Sequence, residues 1–211
     1  MKNSNNKQRA IGLLSIKAMV IIAMLGAVAV VLMLFEIPLW FAPPFYELDF
    51  SEVPVLIGAF ALGPVAGVVI EFLKILLNLI INGTDTVGIG ELANFIIGCS
   101  FVVPAAIVYY KNKTLKSAVK GLILGTLCMV FLGAFINAFV LLPVYAYFFK
   151  MPVEALISMG TKVNPSINSM STLIFYAVVP FNTLKGVVVT LITLLVYKRI
   201  SGIIKSIVGT N

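Results

Sequence analysis

Four long apolar stretches and a fifth one broken by Gly63-Pro64 fill most of this chain, with only short polar strips between them. Runs of 18 or more apolar residues are long enough to cross the hydrocarbon core of a bilayer as helices. Apolar residues make up 61% of the 211 residues and charged ones 11%, far from the balance of a soluble domain. The chain is therefore predicted to be an all-α, polytopic membrane protein, a helix bundle with no soluble domain attached. The hydrophobic run that opens it, 18–35, is too long for a signal-peptide core. It ends in Glu36-Ile37-Pro38 without a small-residue cleavage site, so it reads as an uncleaved first span.

Charge sets the number of spans. Apolar segments cover 16–35, 53–81, 89–110, 118–149 and 172–197. Basic residues cluster before the first span (Lys2, Lys7, Arg9, Lys17), between the middle ones (Lys111, Lys113, Lys116, Lys120) and after the last (Lys198, Arg199, Lys205). Positive strips stay on the cytoplasmic side. A single pass over 53–81 would put two of the three clusters outside; a reversal at Gly63-Pro64 brings all three inside. Proline cannot continue the hydrogen-bond ladder and Gly-Pro readily forms a turn. Six helices follow, with a short second helix, a structured outer loop and both termini cytoplasmic. The expected layout is a basic N-terminus over 1–15, one membrane domain over 16–200 and a tail over 201–211. The single kinked helix over 53–81 is the competing reading.

Several side chains stand out against this apolar background. Asn137 interrupts a run of large apolar residues, and Asn182 and Lys185 sit three apart in the last span, on one helix face. Polar and ionisable groups inside spans are costly and face protein, a partner or a wet cavity. An amide offers both donor and acceptor and an ammonium only donors, a set suited to the edge of a heterocycle. The plainer reading pairs Lys185 with Glu71 and Asn137 with another helix. Glu71 and Lys74 are also three apart and neutralise one another on one face. Ahead of the short helix, Trp40-Phe41-Ala42-Pro43-Pro44-Phe45-Tyr46 joins a stiff backbone to large rings, suited to a ligand cover or a headgroup anchor. Ala23 and Ala27 form a small-residue strip where another helix can approach closely. Cys99 and Cys128 read as buried structural thiols.

Absences narrow the chemistry. The chain has no histidine, no spaced cysteine set, no phosphate-loop motif and no H-E-x-x-H or G-x-S-x-G. No catalytic residue, metal site or cofactor is read from it. The net charge of +7 is spread between spans and makes no nucleic-acid stripe.

The run from Phe41 to Gly67, FAPPFYELDFSEVPVLIGAFALGPVAG, resembles the riboflavin-specific substrate-binding subunits (S components) of energy-coupling-factor (ECF) vitamin transporters. The later Pro180-Phe181-Asn182-x-x-Lys185-Gly186 is similar to the last helix of those subunits. The resemblance runs over about 15–200. It implies six helices around one riboflavin near the extracellular side, with the loop after the first helix as a lid. Asn137, Asn182 and Lys185 then correspond to polar contacts to the flavin, and Phe41, Ala42, Pro43 and Pro44 to lid contacts. It implies a cell-membrane location, a transmembrane scaffold subunit (EcfT) met through Ala23 and Ala27, and two cytoplasmic ATPase subunits that supply energy. The binding subunit itself would make and break no covalent bond and would topple as a whole during transport. Three alternatives remain at this stage: a carrier for another small heterocyclic vitamin, a membrane enzyme using Glu71 or Glu91 as base, and a purely structural bundle subunit with no saturable ligand.

Overall fold

The structure, a computed structural model, describes residues 15–84, 86–148, 150 and 152–208. The helices are α1 (Ile16–Met33), α2 (Glu52–Leu62), α3 (Pro64–Asn82), α4 (Ile89–Asn112), α5 (Leu115–Ile136), α6 (Leu142–Phe148), α7 (Val153–Val163), α8 (Met170–Leu173) and α9 (Val179–Val208). Single π-helical turns at Asn137–Leu141 and Ile174–Val178 join α5 to α6 and α8 to α9. The long elements therefore run continuously over Leu115–Phe148 and Met170–Tyr197, and with α1, α3 and α4 they make five spans of sufficient length and hydropathy. The short α2 completes the six-helix bundle.

The segment predicted as 53–81 is two helices. Gly63 has φ 108°, a region open to glycine and strained for other residues, and Pro64 opens α3 where its missing N–H costs nothing. Contacts fall symmetrically about Gly63. A Cβ built on Gly67 would touch Ala59, and Glu52 reaches Lys74. Those pairs meet only if α2 and α3 fold back on one another. At about 1.5 Å per residue, α2 spans roughly half the hydrocarbon thickness. It avoids exposing its ends by being buried almost entirely, from Glu52 to Phe60.

Ser15 caps α1 by accepting from the Ala18 N–H, and Thr114 caps α5 by accepting from the Ser117 N–H. α4 and α5 approach so closely that Cβ atoms at Gly121 and Gly125 would strike the carbonyls of Ala105 and Phe101. At the end of the bundle that carries the strip from Lys111 to Lys120, Phe60 stacks on Tyr109 at 4.5 Å and the Tyr109 and Tyr197 hydroxyls share a hydrogen bond. This ties α2, α4 and α9 together.

Three features depart from the sequence reading. The strip over 150–171, read as polar, contains α7, because Val153, Leu156, Ile157 and Gly160 recur at helical spacing and seat Leu156 and Gly160 against Ile167 and Leu173. Cys99 and Cys128 are unpaired and only half-buried, since both lie at the margin between helix contacts and the lipid-facing surface. A two-residue antiparallel ribbon, β1 (Ile37–Pro38) with β2 (Glu47–Leu48), organises the loop between α1 and α2. Of the expected termini, 1–14 and 209–211 lie outside the described residues, and α9 continues to Val208.

Candidate functional site

A cavity of about 290 Å³ opens at the end of the bundle opposite Lys17 and the strip from Lys111 to Lys120. Its walls come from the C-terminal ends of α1, α3 and α5, the N-terminal ends of α2, α4 and α9, the first π turn and the outer loop. Its size lies at the lower edge of the usual range for small-molecule sites.

Asn137, Asn182 and Lys185 all line this cavity, although 48 positions separate Lys185 from Asn137. The two π turns bring them together. Each precedes a proline by one intervening residue, Pro143 and Pro180, and the wider turn closes with an i→i−5 bond, from Leu142 to Asn137 and from Val179 to Ile174. A π turn fits the missing proline N–H into a continuous helix and rotates the side chains beyond it. Asn137 donates to the Gly133 carbonyl at 2.8 Å and accepts from the Tyr46 hydroxyl at 2.6 Å. Asn182 donates to the Val178 carbonyl at 3.0 Å. A Cβ on Gly133 would come within 3.0 Å of the Asn182 amide nitrogen, so the missing side chain at Gly133 gives the amide room.

The outer loop closes over these groups. Tyr46 packs on Phe181 with ring centroids 5.3 Å apart, and Ala42, Tyr46, Val178 and Phe181 form a small apolar cluster. Phe45, Tyr46, Glu47 and Asp49 line the cavity. Phe41 and Ala42 belong to the apolar cluster one layer away, Pro43 is buried and Pro44 is exposed. The loop thus meets the cavity through residues just after the Phe41–Pro44 run.

Lys185 pairs with Asp49 at 2.8 Å, and not with Glu71. Glu71 is shut inside the bundle, where Lys74 binds it at 2.7 Å and Glu52 at 2.8 Å. Glu52 and Glu71 both press toward Gly98, which leaves room for their carboxylates. Asp49 is buried, which alone would raise its pKa. The charges of Lys185 and Lys74 and hydrogen bonds from Lys185 and Ser51 outweigh that and hold it well below the usual range. Glu36, at the foot of the ribbon, is pushed up to about 7 by desolvation, by a hydrogen bond with Glu47 and by the charges of Glu47 and Asp49, with Lys185 opposing.

Sequence reasoning missed Asn78, Asn94, Asp49 and Glu52 as cavity residues. A signal for two of them was present: Glu71, Lys74 and Asn78 form one stripe on α3, and Glu91 and Asn94 are three apart on α4. Asp49 and Glu52 belong to the acidic segment ahead of the short helix, and no local spacing singles them out from Glu36 and Glu47. Ala23 and Ala27 are exposed on the outward face of α1, beside Met24 and Val28, while Gly26 faces Leu73 of α3. Among the described residues, no group of three or more His, Cys, Asp or Glu side chains is arranged to hold a metal ion.

A family model described as ECF transporter, substrate-specific component, matches residues 17–197. The chain belongs to that family. It is 35% identical over 202 residues to the riboflavin transporter RibU of Staphylococcus aureus, covering 96% of this chain and all of that protein. It is 34% identical to the riboflavin transporter FmnP of Bacillus subtilis, covering 89% and 93%. A solved structure, described as the S component of a bacterial ECF transporter, superposes with a TM-score of 0.68 at 34% identity, over 89% of this chain and 96% of that one. The short α2 contributes Glu52 to the cavity lining and is otherwise packed inside the bundle.

Proposed function

We propose that this S component captures riboflavin from outside the cell and delivers it through an assembled ECF transporter. The observation that carries the reading is the convergence of Asn137, Asn182 and Lys185 on one cavity, in a chain whose near full-length relatives are named riboflavin transporters. Met129, Ile97, Leu141 and Phe181 supply apolar walls for a flat tricyclic ring. Asn182 offers an amide oxygen to the ring imide N–H, and Lys185 donates to a ring carbonyl. The asparagines and carboxylates at the mouth suit the hydroxyls of the ribityl chain. Lys17, the strip from Lys111 to Lys120 and Arg199 lie toward the opposite end, and by the positive-inside rule this supports an outward-facing cavity with both termini cytoplasmic.

The energy comes from partners. The chain carries no phosphate-binding loop, and ATP hydrolysis belongs to cytoplasmic ATPase subunits joined through a transmembrane scaffold. The exposed Ala23 and Ala27 strip supports close approach by a scaffold helix. The test is a titration of purified, ligand-stripped protein with riboflavin, thiamine and biotin, read by tryptophan and flavin fluorescence. Saturable one-to-one binding is expected with riboflavin alone; binding of another vitamin in its place would refute the assignment.

A further inference from the structure

We propose that Asp49 is a positioning residue for ligand recognition, acting by holding the Lys185 ammonium at a fixed place in the cavity wall. The inference rests on the riboflavin reading of the same cavity and adds a residue to it.

The geometry divides the two carboxylate oxygens of Asp49 between separate tasks. Oδ1 accepts from the backbone N–H of Ser51 at 2.8 Å and from the Ser51 hydroxyl, which fixes the carboxylate to the turn leading into α2. Oδ2 accepts from Lys185 Nζ at 2.8 Å. The pair spans 136 positions of sequence and is largely shielded, with side-chain exposures of 10% for Lys185 and 6% for Asp49. Both residues line the cavity.

A lysine side chain has four rotatable bonds, and fixing it costs rotamer entropy. Asp49 meets that cost before a ligand arrives, the ordinary route by which a preorganised site gains affinity. An ammonium has three N–H groups. One is taken by Asp49, and among the described residues no other hydrogen bond to Nζ is found. Two donors therefore stay available to carbonyl acceptors of a bound heterocycle. With both of its own oxygens occupied, Asp49 has little left to offer the ligand directly. It acts through Lys185. The same bond fastens the outer loop to α9, so loop placement and lysine placement are set by one contact.

The experiment measures riboflavin dissociation constants for Asp49→Asn in three backgrounds: wild type, Lys185→Met and Asn182→Ala. Asp49→Asn keeps shape and the capacity to accept from Ser51 but loses the charge that orients Lys185. In the wild-type background it is expected to raise Kd about tenfold or more, in line with losing one partner of a shielded charge pair. In the Lys185→Met background the same change should have almost no effect, while in the Asn182→Ala background the full loss should persist. Asp49→Glu, which keeps the charge, should recover part of the affinity. A loss of equal size in all three backgrounds would mean that the substitution merely disturbs the loop, and would overturn the proposal. So would an unchanged Kd in the wild-type background. Thermal melting of each ligand-free variant checks that the bundle is folded. Failure of the wild-type protein itself to bind riboflavin would instead sink the functional reading, and with it this role.

Discussion

At the residue scale, polar groups in the cavity wall satisfy one another. Tyr46 donates to Asn137 while Asn137 donates to Gly133. Tyr46→Phe removes the phenolic donor and leaves a buried amide oxygen unpaired, at a cost of about 1–3 kcal/mol. A fall in melting temperature of the ligand-free protein should accompany it; an unchanged melt would show that the bond contributes nothing. Glu36 gives a pH signature. Its pKa is raised from 4.5 to about 7 by burial and by Glu47 and Asp49, against the opposing charge of Lys185. The folded state thus binds more protons than the unfolded one between those values, and stability falls as pH rises from about 4.5 to about 7. Melting scans should show that decline, and Glu36→Gln should flatten it. A decline of the same size in the variant would assign the effect elsewhere. Asn182 and Lys185 were legible in the sequence because polar groups in a span need a reason. Asp49 was not, since nothing local separates a buried loop acid from a solvated one.

At the scale of elements, the α2–α3 hairpin and the two π turns do most to place the site. The hairpin was legible through charge counting and Gly63-Pro64, the π turns only as isolated prolines beside polar residues. No periodicity announces a single extra residue in a helical turn. The ribbon of β1 and β2 was hidden too, because two-residue strands leave no alternating pattern. Gly63→Ala puts a Cβ on a residue at φ 108°, a strained conformation worth about 1–3 kcal/mol. Lower thermal stability is expected together with weaker riboflavin binding, since the hairpin sets the pairing of Glu52 with Lys74 and Glu52 lines the cavity. Wild-type stability in that variant would argue for a different reversal.

For the whole molecule, the distribution of charge is the organising fact. Lys17, Lys111, Lys113, Lys116, Lys120 and Arg199 lie toward one end of the bundle, and Glu36, Glu47, Asp49, Glu52 and Glu91 line the cavity at the other, with Lys185 the one basic residue among its lining. A doubly charged phosphate would meet several carboxylates at short range, where like charges repel. Flavin mononucleotide is therefore expected to bind at least about tenfold more weakly than riboflavin, a difference of about 1.4 kcal/mol; equal affinity would show that the phosphate projects clear of the acids. The central claim is that the amide of Asn182 and the ammonium of Lys185 recognise the flavin inside this cavity. The most direct measurement is a riboflavin titration of wild type, Asn182→Ala and Lys185→Ala, with folding of each verified by melting. Both variants should remain folded and lose about 10- to 100-fold in affinity, the range for hydrogen bonds that include a charged partner. Wild-type affinity in both folded variants would contradict the account.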